Sequence, residues 1–175
     1  MRILLHICCG VCAAGVAERL MSEKHSVTGF FYNPNIYPED EHERRLEAAR
    51  EAAKRTGFEL IEGEYDHDRW SLAVSGCEDA AEGGARCAEC FRMRFEKTHE
   101  YFLGKEFDRL TTTLTVSPLK NAKLVNGIGA DVCGREFLHA DFKKKDGFKR
   151  AMELSKRWGL YRQNYCGCEY SHGKA

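Results

Sequence analysis

The sequence predicts an α/β fold, a Rossmann-like three-layer sandwich with a largely parallel sheet. Short aliphatic or Thr-rich stretches alternate with longer segments of helical period. Turn signals such as Asn33-Pro34 and Gly57 fall between them. The 175 residues carry no Pro-, Gly- or Ser-rich linker and no break in composition, which predicts a single domain over residues 1–175 with a substantial core.

Arg2 to His6 reads as a buried first strand, and Val11 to Lys24 as a helix carrying Val11, Ala14 and Leu20. Ser26 to Tyr32 is a second strand, ended by Asn33-Pro34. Glu39 to Thr56 is a long charged helix that Gly57 should stop, because glycine takes the left-handed conformation a helix C-terminus needs. Phe58 to Ile61 supplies a third strand. Trp70 to Phe102 is expected to be mostly helical, with an interruption around Gly83-Gly84. Arg109 to Val116, rich in Thr, is expected to be a strand, and Ser117-Pro118 to open another helix. In a parallel sheet ligands bind beyond the carboxyl ends of the strands, where Cys8, Cys9 and the Asn33-Pro34 loop should lie.

Lys plus Arg and Asp plus Glu balance at 27 each, so no global positive field draws the chain onto nucleic acid. The balance is uneven: residues 141–175 hold nine Lys/Arg against four Asp/Glu, and residues 39–100 are acidic. The basic end could hold phosphates, or it could be a solvated helix face. No apolar run is long enough to span a bilayer and no signal-peptide pattern is present, so the expectation is a soluble, cytoplasmic protein without a membrane partner. Nine cysteines, odd in number and clustered, point to metal or redox chemistry rather than a secreted disulfide framework.

Three cysteine groups stand out: Cys8-Cys9-Gly10-Val11-Cys12, Cys87-Ala88-Glu89-Cys90 and Cys166-Gly167-Cys168. A C-x-x-C pair opening a helix sets two sulfurs a turn apart beside free backbone amides that favour thiolates. Read helically, Cys87, Cys90 and Arg94 share one stripe and Phe91, Phe95 and Phe102 another, which should present the sulfurs outward from a packed base. With Cys8 and Cys9 this makes four thiolates, enough for a zinc ion or a four-iron cluster. Cys166 and Cys168 would close a small, strained and easily reduced disulfide, or else add two metal ligands. Cys77 and Cys133, without a cysteine neighbour, read as small buried apolar residues.

Six blocks in order resemble the QueH family of epoxyqueuosine reductases: residues 5–12 (LHICCGVC), 31–36 (FYNPNI), 86–94 (RCAECFRMR), 112–118 (TTLTVSP), 141–144 (DFKK) and 160–168 (LYRQNYCGC). The resemblance implies the two-electron reduction of epoxyqueuosine to queuosine at the wobble position of transfer RNA, the last step of queuosine biosynthesis. It implies a [4Fe-4S] cluster held by Cys8, Cys9, Cys87 and Cys90, with Cys166 and Cys168 as the redox-active pair. An additional metal ion, with Cys12, Cys166 or Cys168 among its ligands, is compatible with it. An electron donor such as ferredoxin or flavodoxin would be a partner, alongside the transfer RNA.

Converting an epoxide to an alkene takes two electrons and two protons, and side chains supply only the protons. Asp141, Tyr161 and Tyr165 lie in matching blocks and could donate a proton, but a Tyr or Asp at such a place is more often structural, and none is taken as catalytic. Arg86, Arg92, Arg94, Lys143, Lys144 and Arg162 are candidates for phosphate contacts, and Phe31, Tyr32 and Tyr161 for base stacking. The competing functions are a zinc-bearing RNA-binding module, an ATP-dependent transfer RNA thiolation enzyme and a thioredoxin-like oxidoreductase. Against the second, Cys-Cys-Gly-Val-Cys follows the first strand where a Gly/Ser-rich phosphate loop would be needed. Against the third, a single C-x-x-C would suffice.

Overall fold

The computed structural model describes residues 1–171. Four strands form an all-parallel sheet in the order β3-β2-β1-β4: β1 (Arg2–Ile7), β2 (Ser26–Phe31), β3 (Glu59–Glu62) and β4 (Arg109–Thr112). The Rossmann-like three-layer expectation is met. Helices α1 (Gly10–Ser22), α2 (Glu39–Thr56) and α6 (Gly147–Trp158) cover one face. Helices α3 (His67–Ala73), α4 (Ala85–Phe102) and α5 (Ala122–Cys133) cover the other. No helix among the described residues is long and apolar enough to cross a membrane.

The period of two along β1 builds both cores at once. Ile3, Leu5 and Ile7 enter the core under α1, α2 and α6, while Leu4 enters the one under α3, α4 and α5. Close approach of α1 to its neighbours depends on small residues. A Cβ on Gly10 would run into the Ala48 carbonyl of α2, and one on Gly15 would stand 2.9 Å from Ala151 Cβ of α6.

Two expectations fail after β4. The Thr-rich stretch leaves the sheet at Thr112, whose hydroxyl accepts from Leu114 N (3.1 Å) and turns Thr113–Val116 into a short 3₁₀ helix. The next helix opens after Asn121 rather than at Ser117-Pro118, because Asn121 Oδ1 caps the amides of Lys123 (3.0 Å) and Leu124 (3.2 Å). The mostly helical region expected from Trp70 to Phe102 is built of α3, a turn-rich stretch that ends at the expected interruption around Gly83-Gly84, and α4.

Strand order reverses beside β1, since β2 and β3 extend the sheet on one side and β4 returns on the other. Such a switch opens a crevice at the strand ends. Cys8 and Cys9 follow β1 at that crevice, and the 3₁₀ turn follows β4.

Candidate metal and redox centre

A cavity of about 730 Å³ occupies the crevice, and Cys8, Cys9, Cys12, Cys87, Cys90, Cys166 and Cys168 all line it. The structure thus brings together all three cysteine groups from the first turn of α1, the start of α4 and the C-terminal segment. All nine cysteines are free thiols, including Cys166 and Cys168. Cys133 is buried, as expected, in the core beneath α5, whereas Cys77 is half-buried on the turn-rich stretch; neither lines the cavity.

Among the described residues, Cys8, Cys9 and Cys12 form a group whose Sγ atoms all lie within 4.8 Å of one another and could hold a metal ion. Cys9 occupies the N-cap position of α1 without a side-chain capping bond, and Cys12 sits one turn later, with no acidic residue in that first turn. Hydrogen bonding with Cys12, then with Cys9, holds the Cys8 thiol well below its usual range. Cys9 is pushed up to about 12: its bond with Cys12 favours the thiolate, but bonding to Cys8 and burial outweigh it. Hydrogen bonding to Cys8, then to Cys9, pushes Cys12 well up.

Cys87 and Cys90 stand on the first two turns of α4, and the Gly83 amide donates to Cys87 Sγ at 3.2 Å. Burial raises the Cys90 thiol, with the Arg94 charge opposing. In the C-terminal loop the Cys168 amide donates to Cys166 Sγ at 3.4 Å. Hydrogen bonding from Cys168 lowers Cys166 to about 5, helped by the nearby Lys120 ammonium, and the same bond raises Cys168.

The polar frame carries positive charge inward. Arg94 is buried, and its guanidinium donates to two uncharged groups, Asn33 Oδ1 (2.5 Å) and His6 Nε2 (3.4 Å). Arg86 is likewise buried, donating to the carbonyls of Glu78 (2.5 Å) and Ala80 (2.6 Å). Among the lining residues, Trp70 Nε1, Arg86 Nε and Gln163 Oε1 are buried without hydrogen-bond partners, so the walls suit a charged or polar occupant.

Several sequence expectations change here. Cys87 and Cys90 face inward and are buried, because the turn-rich stretch and the C-terminal segment close over them. Arg86 and Arg94 frame the cavity as interior residues, and Phe31 and Tyr32 belong to the two cores, since both faces of β2 are covered. Tyr161 is exposed but gives its hydroxyl to Glu41 Oε2 (2.6 Å). Lys143 pairs with Asp141 (3.3 Å) and donates to the Lys120 carbonyl (3.2 Å). Arg162, at the cavity, and Lys144 stay exposed. Trp70, Lys120 and Arg45 also line the cavity and had no motif to announce them, although Lys120 could have been found as a basic residue just beyond a strand's carboxyl end.

A family model described as epoxyqueuosine reductase QueH matches residues 3–174. The chain belongs to the QueH family. Curated relatives named epoxyqueuosine reductase QueH include that of Haemophilus influenzae, 37% identical over 97% of this chain and 71% of the relative. That of Streptococcus pyogenes is 35% identical over 97% and 69%, and that of Thermotoga maritima 34% over 97% and 89%. All three QueH cysteine blocks quoted from the sequence fall within the span of the family match.

Proposed function

We propose that this chain reduces epoxyqueuosine to queuosine in transfer RNA, using an iron–sulfur cluster and the Cys166/Cys168 pair. The observation that carries the reading is the convergence of seven cysteines on one cavity within a chain of the QueH family. Cys8, Cys9, Cys87 and Cys90 would hold the [4Fe-4S] cluster. The donor set suits it: thiols are soft ligands, and the buried Arg94 offsets the negative charge that iron-bound thiolates gather. Cys12, close to Cys8 and Cys9, is available to the cluster or to an additional metal ion.

When bound, the cluster supplies low-potential electrons one at a time. The reaction consumes two electrons and two protons, and the oxygen leaves as water. Cys166 and Cys168 together can store an electron pair as thiols and release it by forming a disulfide. Trp70, Phe91 and Leu114 make part of the cavity wall apolar, while Lys120 brings an ammonium group beside Cys166. The wobble nucleoside would enter this cavity from the transfer RNA, and a ferredoxin- or flavodoxin-like donor would recharge the site.

Iron, sulfide and zinc content, with visible and electron paramagnetic resonance spectra, tests the reading on protein purified without oxygen. About four irons per chain, lost in a Cys87→Ala, Cys90→Ala variant, together with reduction of epoxyqueuosine-containing transfer RNA by a strong reductant, is the expected result. One zinc and no iron after reconstitution would overturn the electron path and favour a zinc-bearing RNA-binding module.

A further inference from the structure

The Cys166–Cys168 loop is gripped by an ion pair on a distant helix. In α2, Arg45 Nε meets Glu41 Oε1 at 2.7 Å, with side-chain exposures of 2% and 6%. Taking two charges out of water is costly, and a hydrophobic pair of similar volume holds a helix interface at least as well. Stability alone therefore gives no reason for the pair, whereas its remaining polar groups do. Arg45 Nη1 donates to the Cys166 carbonyl at 3.0 Å and Nη2 to the Tyr165 carbonyl at 3.3 Å. The guanidinium carbon stands 5.0 Å from the centre of the Tyr165 ring. The second oxygen of Glu41 accepts from the Tyr161 hydroxyl at 2.6 Å.

Gly167 completes the fit. Its φ of +103° lies where side-chain-bearing residues are strained, and a Cβ there would stand 2.8 Å from Arg45 Nη1 and 3.0 Å from Ile36. Its carbonyl accepts from Tyr37 N at 2.8 Å, and the Tyr165 hydroxyl donates to the Tyr37 carbonyl at 2.6 Å. Backbone contacts thus pin the loop on either side of Cys166, and its two sulfurs line the cavity.

We propose that Arg45, held by Glu41, is a positioning residue: its guanidinium fork fixes the Tyr165–Cys168 backbone so that the Cys166 and Cys168 sulfurs face the cavity in one geometry. The inference rests on the reading that these two cysteines take part in the reduction. Arginine suits the task because its planar fork spans two adjacent carbonyls, which a lysine ammonium cannot do in the same fixed geometry.

The test uses the full chain purified without oxygen, comparing wild type, Arg45→Lys and Tyr161→Phe. Arg45→Lys keeps a positive charge opposite Glu41, and Tyr161→Phe removes only one hydroxyl, so one or both should fold if the more drastic Arg45→Met does not. Thermal unfolding, turnover and pulsed iodoacetamide labelling mapped by mass spectrometry are measured on each. For Arg45→Lys the expected result is an unfolding transition near that of wild type. Cys166 and Cys168 should label about tenfold faster relative to the other cavity cysteines, and kcat should fall about tenfold or more with KM little changed. Tyr161→Phe should move labelling and kcat the same way by a smaller factor. Wild-type labelling and turnover in both variants would overturn the proposal, and so would a uniform rise at every cysteine, which marks general loosening. Cys166→Ser, assayed alongside, tests the reading separately: if it retains turnover the pair has no redox part, while the labelling still decides whether Arg45 positions the loop.

Discussion

Cys8 and Thr113 are hydrogen-bonded twice: the Cys8 amide donates to Thr113 Oγ1 at 3.0 Å, and the Thr113 hydroxyl donates to Cys8 Sγ at 3.2 Å. The turn after β4 thereby sets the thiol after β1, at the point where strand order reverses. Thr113→Val keeps the shape and removes both bonds. It should lower stability by about 1 to 3 kcal/mol in urea denaturation, because the Cys8 amide loses its partner. Thr113→Ser should recover most of that loss, and an unchanged midpoint in the Val variant would contradict the role of the pair.

His6 predicts a pH dependence of folding. Its ring is fully buried, with Nδ1 2.9 Å from Thr112 Oγ1, and burial, then the Arg94 charge, lowers its pKa to about 3. The unfolded ring titrates near 6.5, so between those values the unfolded state binds more protons. The stability that the neutral ring contributes is complete above about pH 6.5 and is lost as pH falls through the window, by up to about 1.4 kcal/mol per unit. Urea titrations of wild type and His6→Gln between about pH 5 and 8 should show the slope flattened in the variant.

Gly10→Ala should be disruptive although alanine favours helices. The new Cβ meets the Ala48 backbone carbonyl, which cannot rotate away, so α1 and α2 must part. A loss of about 1 to 3 kcal/mol or more is expected by thermal or chemical unfolding. Gly127→Ala, at a helical glycine with nothing within 4 Å of its added Cβ, should be neutral or stabilising.

The two cysteines outside the cavity serve as controls for metal content. Cys77→Ser, half-buried on the turn-rich stretch, should change stability by no more than about 0.5 kcal/mol and leave bound iron as in wild type. Cys133→Ala should cost about 1 kcal/mol through lost packing, again without loss of iron. Loss of iron in either variant would show that the metal site extends beyond the cavity cysteines.

Elements with strong local signals are legible in the residues alone. Glu39–Thr56 ends where Gly57 stands, and Gly57 adopts the left-handed conformation with φ +86°. The aliphatic strands are legible for the same reason, since periodicity and end signals lie within a few residues of each other. The Thr-rich stretch misleads because β propensity competes with a hydroxyl's bond to nearby backbone, and at Thr112 the bond wins. The sulfurs are legible as residues, but their burial is not, because the segments that close over Cys87 and Cys90 carry no periodic signature.

By itself, the sequence determined the alternating α/β order, the three cysteine motifs and membership of the QueH family, all of which are written in local spacing or in blocks along the chain. The tertiary structure decided that seven cysteines share one cavity, that Arg86 and Arg94 lie inside it, and that Arg45 grips a loop 120 residues away. Those relationships depend on which segments pack together at a switch in strand order, and contacts over such separations leave no trace in the period or composition of either segment.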